Sequence, residues 1–339
     1  MKTTTVCAIP MGDAAGIGVE IILKSLVAPS LPIDASYIVI GDASVCKKVS
    51  EDLSLQWPFD ATVEGEKDLF FHLQKGSVKL LLDQNTIDLS QFRYGEVSPQ
   101  CGAAAYHALK QAASLCSKGV ADVLVTPPLN KLSLAASSIQ EIGNTELLAT
   151  FTHSISPITM FETHNLKVFF LTRHLSLKEA IDAITVESLY EGIRECYTIT
   201  QKSNFDQSLP FAIAALNPHS GEGGRFGDEE SLYITPAVQR AQKEGMNVVG
   251  PISADSVFHL AHKNHYRAVL SLYHDQGHIA TKTLDFDRTV SVTWNLPWIR
   301  TSVDHGTAFD IAGKNLASEI SMLEAIKVAF RYNTKETDL

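Results

Sequence analysis

Short apolar runs recur along the chain at residues 4–10, 36–40, 78–82, 120–125, 167–171, 211–216, 268–273 and 290–294. Each run is nearly continuous in apolar character, the pattern of a strand covered on both faces, and strands of that kind belong to parallel sheets. Helical spacing fills the intervals. Residues 101–118 are rich in Ala and Leu and stop before Gly119, and 177–184 and 318–332 also predict helices. Strand and helix in alternation predict an α/β fold. Two stretches break the pattern: 84–100 is polar and aperiodic, and 221–227 sets four glycines among polar residues, so both are predicted loops.

At 339 residues and 45 % hydrophobic content, the chain exceeds one core and can fill two. Two α/β lobes with a cleft between them are expected. No linker marks a boundary, and the division predicted is 1–130 with 296–339 as the first lobe and 131–295 as the second, holding metal and substrate residues.

The formal net charge of -10 carries no basic stripe, which argues against a nucleic-acid partner. Cys7, Cys46, Cys101, Cys116 and Cys196 are odd in number, widely spaced and without a CxxC pair, so neither a disulfide framework nor a thiolate zinc site is expected. The apolar run at 6–11 is too short for a signal sequence and no stretch approaches a membrane span, so the expectation is a cytoplasmic protein that engages no membrane.

Three of the 12 histidines follow predicted strands within a few residues: His174, His219 and His274. In open α/β folds the carboxyl ends of strands form the rim where ligands bind, so these imidazoles can converge on one metal ion. Turn-forming polar neighbours, Asn217-Pro218 before His219 and Asp275-Gln276-Gly277 after His274, supply groups that orient a ligating imidazole. Three neutral imidazoles leave coordination positions open, as catalytic sites do. Such an ion can polarise an oxygen or activate water, and the histidines alone leave both uses open.

Lys131, Lys282 and Arg300 lie near predicted strand ends, where cations suit a phosphate or carboxylate. The turn Gly12-Asp13-Ala14-Ala15-Gly16-Ile17-Gly18 looks like a phosphate cradle, yet its spacing fits neither the dinucleotide fingerprint nor the P-loop, and close helix packing explains its small residues equally well. The segment 304–314, DHGTAFDIAGK, pairs a His and an Asp with glycines before the last predicted helix, where backbone can approach a nucleotide.

These segments resemble the 4-hydroxythreonine-4-phosphate dehydrogenase family, relatives of the isocitrate and isopropylmalate dehydrogenases. The matching stretches are GDAAGIGVEI at 12–21, TPPLNK at 126–131, NTELLA at 144–149, NPHSGEGG at 217–224, YHDQG at 273–277 and LPWIRTSVDHGTAFDIAG at 296–313. The resemblance implies two α/β/α lobes of isocitrate/isopropylmalate dehydrogenase type with the active site in the cleft, a homodimer drawing site residues from both subunits, and a place in pyridoxine biosynthesis. It implies that His174, His219 and His274 ligate a divalent metal, zinc or else magnesium, cobalt or manganese. It implies that Asn144, Thr145, Lys282, Ser291 and Arg300 contact a phosphorylated hydroxy acid. Lys282, Asp275 and Asp255 would be the catalytic residues. His305, Gly306, Thr307 and Asp310 would bind NAD, with NADP also possible, which accounts for the missing GxGxxG. The implied reaction is oxidation of a secondary hydroxyl followed by decarboxylation.

The chain departs from the family pattern where Asn144 stands for a histidine, Ser291 for an asparagine and Ala14 for a proline. An asparagine hydrogen-bonds but neither carries positive charge nor shuttles a proton at neutral pH. His278 is closer to the paralogues acting on 4-phospho-D-threonate or 4-phospho-D-erythronate. The main expectation is a 4-hydroxythreonine-4-phosphate dehydrogenase-like enzyme, with those two paralogues as the alternative. A metal-dependent hydrolase and a non-catalytic relative are the readings from other classes.

Overall fold

The computed structural model describes residues 4–76, 78–140, 143–202 and 204–333. The chain divides into two compact units, Met1–Pro157 with Val290–Leu339, and Ile158–Thr289. The first unit begins with β1 (Thr5–Pro10), α1 (Gly18–Val27), β2 (Ala35–Gly41), α2 (Ala43–Asp52), β3 (Ala61–Val63), α3 (Glu66–Leu73), β4 (Lys79–Asp83), α4 (Pro99–Ser117), β5 (Val123–Thr126), α5 (Lys131–Ala136) and α6 (Asn144–Thr152). The second holds β6 (Ile158–Thr163), β7 (Leu166–Phe170), α7 (Leu177–Asp182), α8 (Val186–Thr200), β8 (Phe211–Ala214), α9 (Thr235–Lys243), β9 (Val248–Ile252), α10 (Ala254–His262), β10 (Ala268–Ser271) and α11 (His274–Leu284), with a 3-10 turn at Pro218–Gly224 and a π-helical turn at Glu230–Ile234. The chain then adds β11 (Val290–Trp294), β12 (Ile299–Val303) and α12 (Ile320–Tyr332) to the first unit.

In the first unit the strand order is β3-β4-β2-β1-β5-β12-β11, parallel except between β11 and β12. Every residue of β2 is buried, as a continuous apolar run between helical layers requires. The second unit has the order β6-β7-β10-β8-β9, parallel except between β6 and β7. Its core packs Phe161, Val168, Phe170, Val257 and Val269.

Two sequence expectations change. Residues 290–294 form an antiparallel strand rather than a parallel one, because the chain turns back at once through Asn295, whose φ of 63° lies in the left-handed region. The boundary expected after residue 130 falls after Pro157, and the second falls at 289/290 rather than 295/296. Asn130 caps α5 with its side chain, and α5 lies so close on α4 that a Cβ at Gly102 would collide with the Ser133 carbonyl. Tyr106 on α4 meets Phe151 on α6 edge-on at 5.5 Å. Both helices therefore stay with the first unit.

The stretch 84–98 is a loop, but an anchored one. Asp42 Oδ2 accepts from the backbone N–H groups of Thr86 and Ile87 at 2.7 and 2.8 Å, and Gly95 N–H donates to the Ala15 carbonyl at 2.8 Å. All five cysteines are free and buried. Among the described residues no helix is long and apolar enough to cross a membrane.

Candidate active site

In the second unit, β10 pairs in parallel with β7 on one side and β8 on the other, so three neighbouring strands release their chains at one sheet edge. His174 follows β7, His219 follows β8, and His274 opens α11 directly after β10. Thr172 Oγ1 donates to the Leu272 carbonyl at 2.9 Å and fixes two of these exits side by side. The His174 and His274 rings stand 6.3 Å apart between centroids. They line a cavity of about 310 Å³ with Arg173, Leu177, Tyr273 and Asp275.

Residues spaced by four share a helix face, so His274, His278 and Lys282 run in line along α11. Lys282 is therefore a helix residue rather than one at a strand end; its ammonium lies 5.4 Å from the Phe286 ring centroid. The His278 ring stacks on His274 at 3.9 Å and 20°, and Phe161 and Phe170 pack behind it. Burial, aided by His274 and Lys282, pushes the His278 imidazole down to about 4, so it is neutral at physiological pH. It thus backs His274 without adding charge, a role the sequence motif did not reveal. His274 Nδ1 lies 2.6 Å from Asp275 Oδ1, which orients the ring and leaves Nε2 for a ligand. Asp255 lies exposed in the first turn of α10.

His219 sits in the 3-10 turn with φ of 52°, its ring 6.2 Å from that of Phe226. Among the described residues no three His, Cys, Asp or Glu side chains stand close enough to hold a metal ion. The assembled part is the pair His174 and His274. In chemistry the donor set fits a divalent ion, imidazoles being common ligands of zinc and its neighbours. The turn bearing His219 is held by Glu230, whose Oε1 accepts from the backbone N–H groups of Leu216 and Asn217 at 2.9 and 2.7 Å. Nothing in the sequence pattern singled out Glu230; it is a buried acid at the start of a π-helical turn, a local geometry concentrated at functional sites.

The first unit, rather than the second, holds Asn144, Thr145 and Ser291, and it holds Arg300 as expected from the predicted bounds. Arg300 lies within β12, directly opposite Thr293 of β11 and beside β5. Its Nε and Nη2 donate to Thr126 Oγ1 at 3.0 and 2.7 Å, and its Nη1 donates to Thr293 Oγ1 at 3.0 Å and Thr145 Oγ1 at 3.3 Å. Burial lowers its pKa to about 10, against the opposing pull of Glu146, so the guanidinium stays charged at neutral pH. Ser291 precedes Thr293 by two positions and shares its face of the sheet. Asn144 Nδ2 donates to the Pro127 carbonyl at 3.4 Å, beside Thr126. Thr145 and Arg300 are thus in contact, with Asn144 anchored next to the strand end that holds Arg300. Lys131 opens α5 just past β5.

The segment after β12 meets the first loop of the same unit. Ile17 N–H donates to the Thr307 carbonyl at 3.0 Å, and Asn130 Nδ2 donates to Thr307 Oγ1 at 3.3 Å. A Cβ at Gly16 would come within 2.8 Å of the Thr307 carbonyl oxygen, so glycine is required there by close approach. Thr307 is buried, whereas Gly306 and Asp310 are exposed and His305 is partly so. His305 Nδ1 lies 3.0 Å from the Gly306 carbonyl, and Gly306 has open space where a Cβ would be. Exposed backbone and a nearby carboxylate suit the approach of a nucleotide.

Residues 34–329 match the family model described as pyridoxal phosphate biosynthetic protein PdxA. The chain belongs to the PdxA family. A protein of Fusobacterium nucleatum, named provisionally as a D-threonate 4-phosphate dehydrogenase, is 47 % identical to this PdxA-family chain over 328 residues, 97 % of each. The crystal structure of a 4-hydroxythreonine-4-phosphate dehydrogenase from Klebsiella pneumoniae matches with a TM-score of 0.84 and 34 % identity, covering 97 % of this chain and 99 % of that one. One from Burkholderia phymatum matches with a TM-score of 0.81 and 35 % identity, covering 96 % and 98 %. The chain is accordingly an oxidoreductase, a PdxA-family dehydrogenase of mixed α/β fold.

Proposed function

We propose that the chain is an NAD-dependent, divalent-metal-dependent D-threonate 4-phosphate dehydrogenase. This replaces 4-hydroxythreonine phosphate, the main expectation from the sequence, with its alternative. The support is that the 47 % relative bears the threonate name while the matching solved structures of 34 and 35 % identity bear the other. Asn144 agrees, since a neutral amide replaces an imidazole without supplying charge or a proton.

The observation that carries the reading is Arg300, a buried cation bonded among the described residues only to neutral hydroxyls, which suits it to an oxyanion of the substrate. Thr145, Asn144 and Ser291 then contact the same substrate, and Lys282 adds a second cation. His174, His219 and His274 would hold the metal, and His305, Gly306, Thr307 and Asp310 the NAD. When bound, the metal supplies Lewis acidity at the substrate oxygens, and NAD accepts the hydride. Lys282 and Asp275 carry the proton from the secondary hydroxyl as the carbon is oxidised, with Asp255 as a further acid of the site. Oxidation beside the α-carbon gives a β-keto acid, whose carboxylate leaves as carbon dioxide and whose remainder is a three-carbon ketone phosphate. The same reading carries a homodimer, which sedimentation equilibrium tests.

The test offers NAD with D-threonate 4-phosphate, D-erythronate 4-phosphate and 4-phosphohydroxy-L-threonine in separate assays, following reduced nicotinamide absorbance with and without chelator. Chelator-sensitive turnover is expected, fastest with the threonate. A higher kcat/KM for 4-phosphohydroxy-L-threonine would overturn the substrate assignment. Product release without nicotinamide reduction would favour a hydrolase, and no turnover of any of them a non-catalytic relative.

A further inference from the structure

Arg300 is a buried cation whose shell contains no anion among the described residues. It is 4 % exposed, and its hydrogen bonds go to the hydroxyls of Thr126, Thr145 and Thr293. Glu146 acts on it electrostatically, but among the described residues no carboxylate lies within ion-pair distance of it. Burying an ion unpaired is costly, and the cost is offset when a counter-ion arrives. Four of the five N–H groups of the fork are occupied by hydroxyl acceptors, which leaves one on Nη2.

Two of these threonines differ from the third. Thr126 and Thr293 are wholly buried and belong to the strands flanking β12, Thr293 standing opposite Arg300 in the antiparallel register. A side chain with no exposed surface cannot be assigned a contact with ligand, so each acts through the arginine. Hydroxyls serve well here because they accept from the fork without neutralising it, whereas a carboxylate at either position would consume the charge.

We propose that Thr126 and Thr293 are positioning residues, fixing the Arg300 guanidinium as receptor for one oxyanion of the substrate, which supplies the counter-charge withheld by the fold. The inference rests on the reading of the chain as a dehydrogenase of a phosphorylated hydroxy acid. Such a substrate has two oxyanions, a phosphate and a carboxylate, and the shared chemistry is a planar fork meeting oxygens.

The experiment measures binding of inorganic phosphate and, separately, of glycolate by titration calorimetry. KM and kcat for D-threonate 4-phosphate are measured alongside, in the wild type and in T293V, T293S, T126V and T126S. Valine keeps the volume and removes the acceptor. Each valine variant is expected to bind one of the two probes about tenfold more weakly and to raise KM by a similar factor, with kcat changed less than about threefold. The serine variants are expected to restore both, and the probe affected identifies phosphate or carboxylate as the oxyanion. Valine variants that bind both probes as the wild type does would overturn the proposal, as would a wild type that binds neither probe or serine variants that restore nothing. Because Thr126 also donates to the Thr301 carbonyl, T126V could lose its fold, and T293V with its serine control then decides. If no substrate is turned over yet phosphate binding still falls in T293V and returns in T293S, the dehydrogenase reading fails while the receptor stands.

Discussion

Glu230 and Asn217 are joined twice: Oε1 of the acid accepts from the backbone N–H of Asn217 at 2.7 Å, and Oε2 from its side-chain amide at 2.9 Å. Oε1 also takes the Leu216 N–H, so one buried carboxylate organises the entry to the turn bearing His219. Removing it in E230A leaves the backbone N–H groups of Leu216 and Asn217 without their acceptor, while the Asn217 side-chain amide keeps Glu229 Oε2 at 2.6 Å, and is expected to cost about 3 kcal/mol in urea unfolding. E230Q, which keeps one acceptor oxygen, is expected to cost about half as much. An E230A protein as stable as the wild type would show that the latch does not hold the turn.

That latch also illustrates what the sequence conceals. The three histidines were legible because each follows a strand-like run, and adjacency of β7, β10 and β8 then brings their loops to one edge. Arg300 was legible as a cation near a strand end, but its burial within a strand was not, since β12 reads IRTSV, too polar for an apolar run to reveal it. The short strands β3, β6 and β9 were missed likewise; β9 reads VVGPI, where Gly and Pro normally argue against a strand. Partners such as Glu230, Thr126 and Thr293 depend on strand order and register, which periodicity does not encode.

Asp13 is fully buried, with Oδ1 accepting from the Ala15 N–H at 2.9 Å and Oδ2 without a partner. Burial raises its pKa above the ordinary 3.8, outweighing hydrogen bonds from Ser133 and Ala15. The folded state thus holds this proton more tightly than the unfolded state. Its contribution to stability is greatest at low pH and declines as pH rises from the ordinary value through the raised one. D13N keeps the acceptor for Ala15 and removes the charge. Its melting temperature is expected to exceed that of the wild type at pH 7, with the gap closing as pH falls toward 4, and calorimetry across that range measures it. A gap independent of pH would show that folding does not shift the Asp13 pKa and would overturn the assignment.

The pairing of His174 with His274 leads to an expectation for metal removal. EDTA is expected to abolish nicotinamide reduction, and added Zn²⁺, Co²⁺, Mn²⁺ or Mg²⁺ to restore it. H174A and H274A are each expected to lower metal affinity by more than about a hundredfold, the upper end of the loss when only an orienting group is removed. Metal content after dialysis checks this independently of turnover. Full retention of metal by H274A would remove that imidazole from the ligand set.

Gly16 and Gly306 flank the same buried Thr307 but should respond oppositely to alanine. At Gly16 a methyl group would meet the Thr307 carbonyl oxygen and its Cβ, both at 2.8 Å, so the loop following β1 and the segment following β12 must part. G16A is expected to lose about 1–3 kcal/mol of stability, the range for overpacking a site that cannot yield. At Gly306 a methyl group meets nothing within 4 Å, and the residue does not have the positive φ that would strain alanine. G306A is therefore expected to unfold within about 0.5 kcal/mol of the wild type. If Gly306 is the backbone against which NAD lies, the same methyl group obstructs the cofactor and KM for NAD rises several-fold at unchanged stability. A G306A enzyme with wild-type KM for NAD would move the cofactor away from this segment, whatever the result at Gly16.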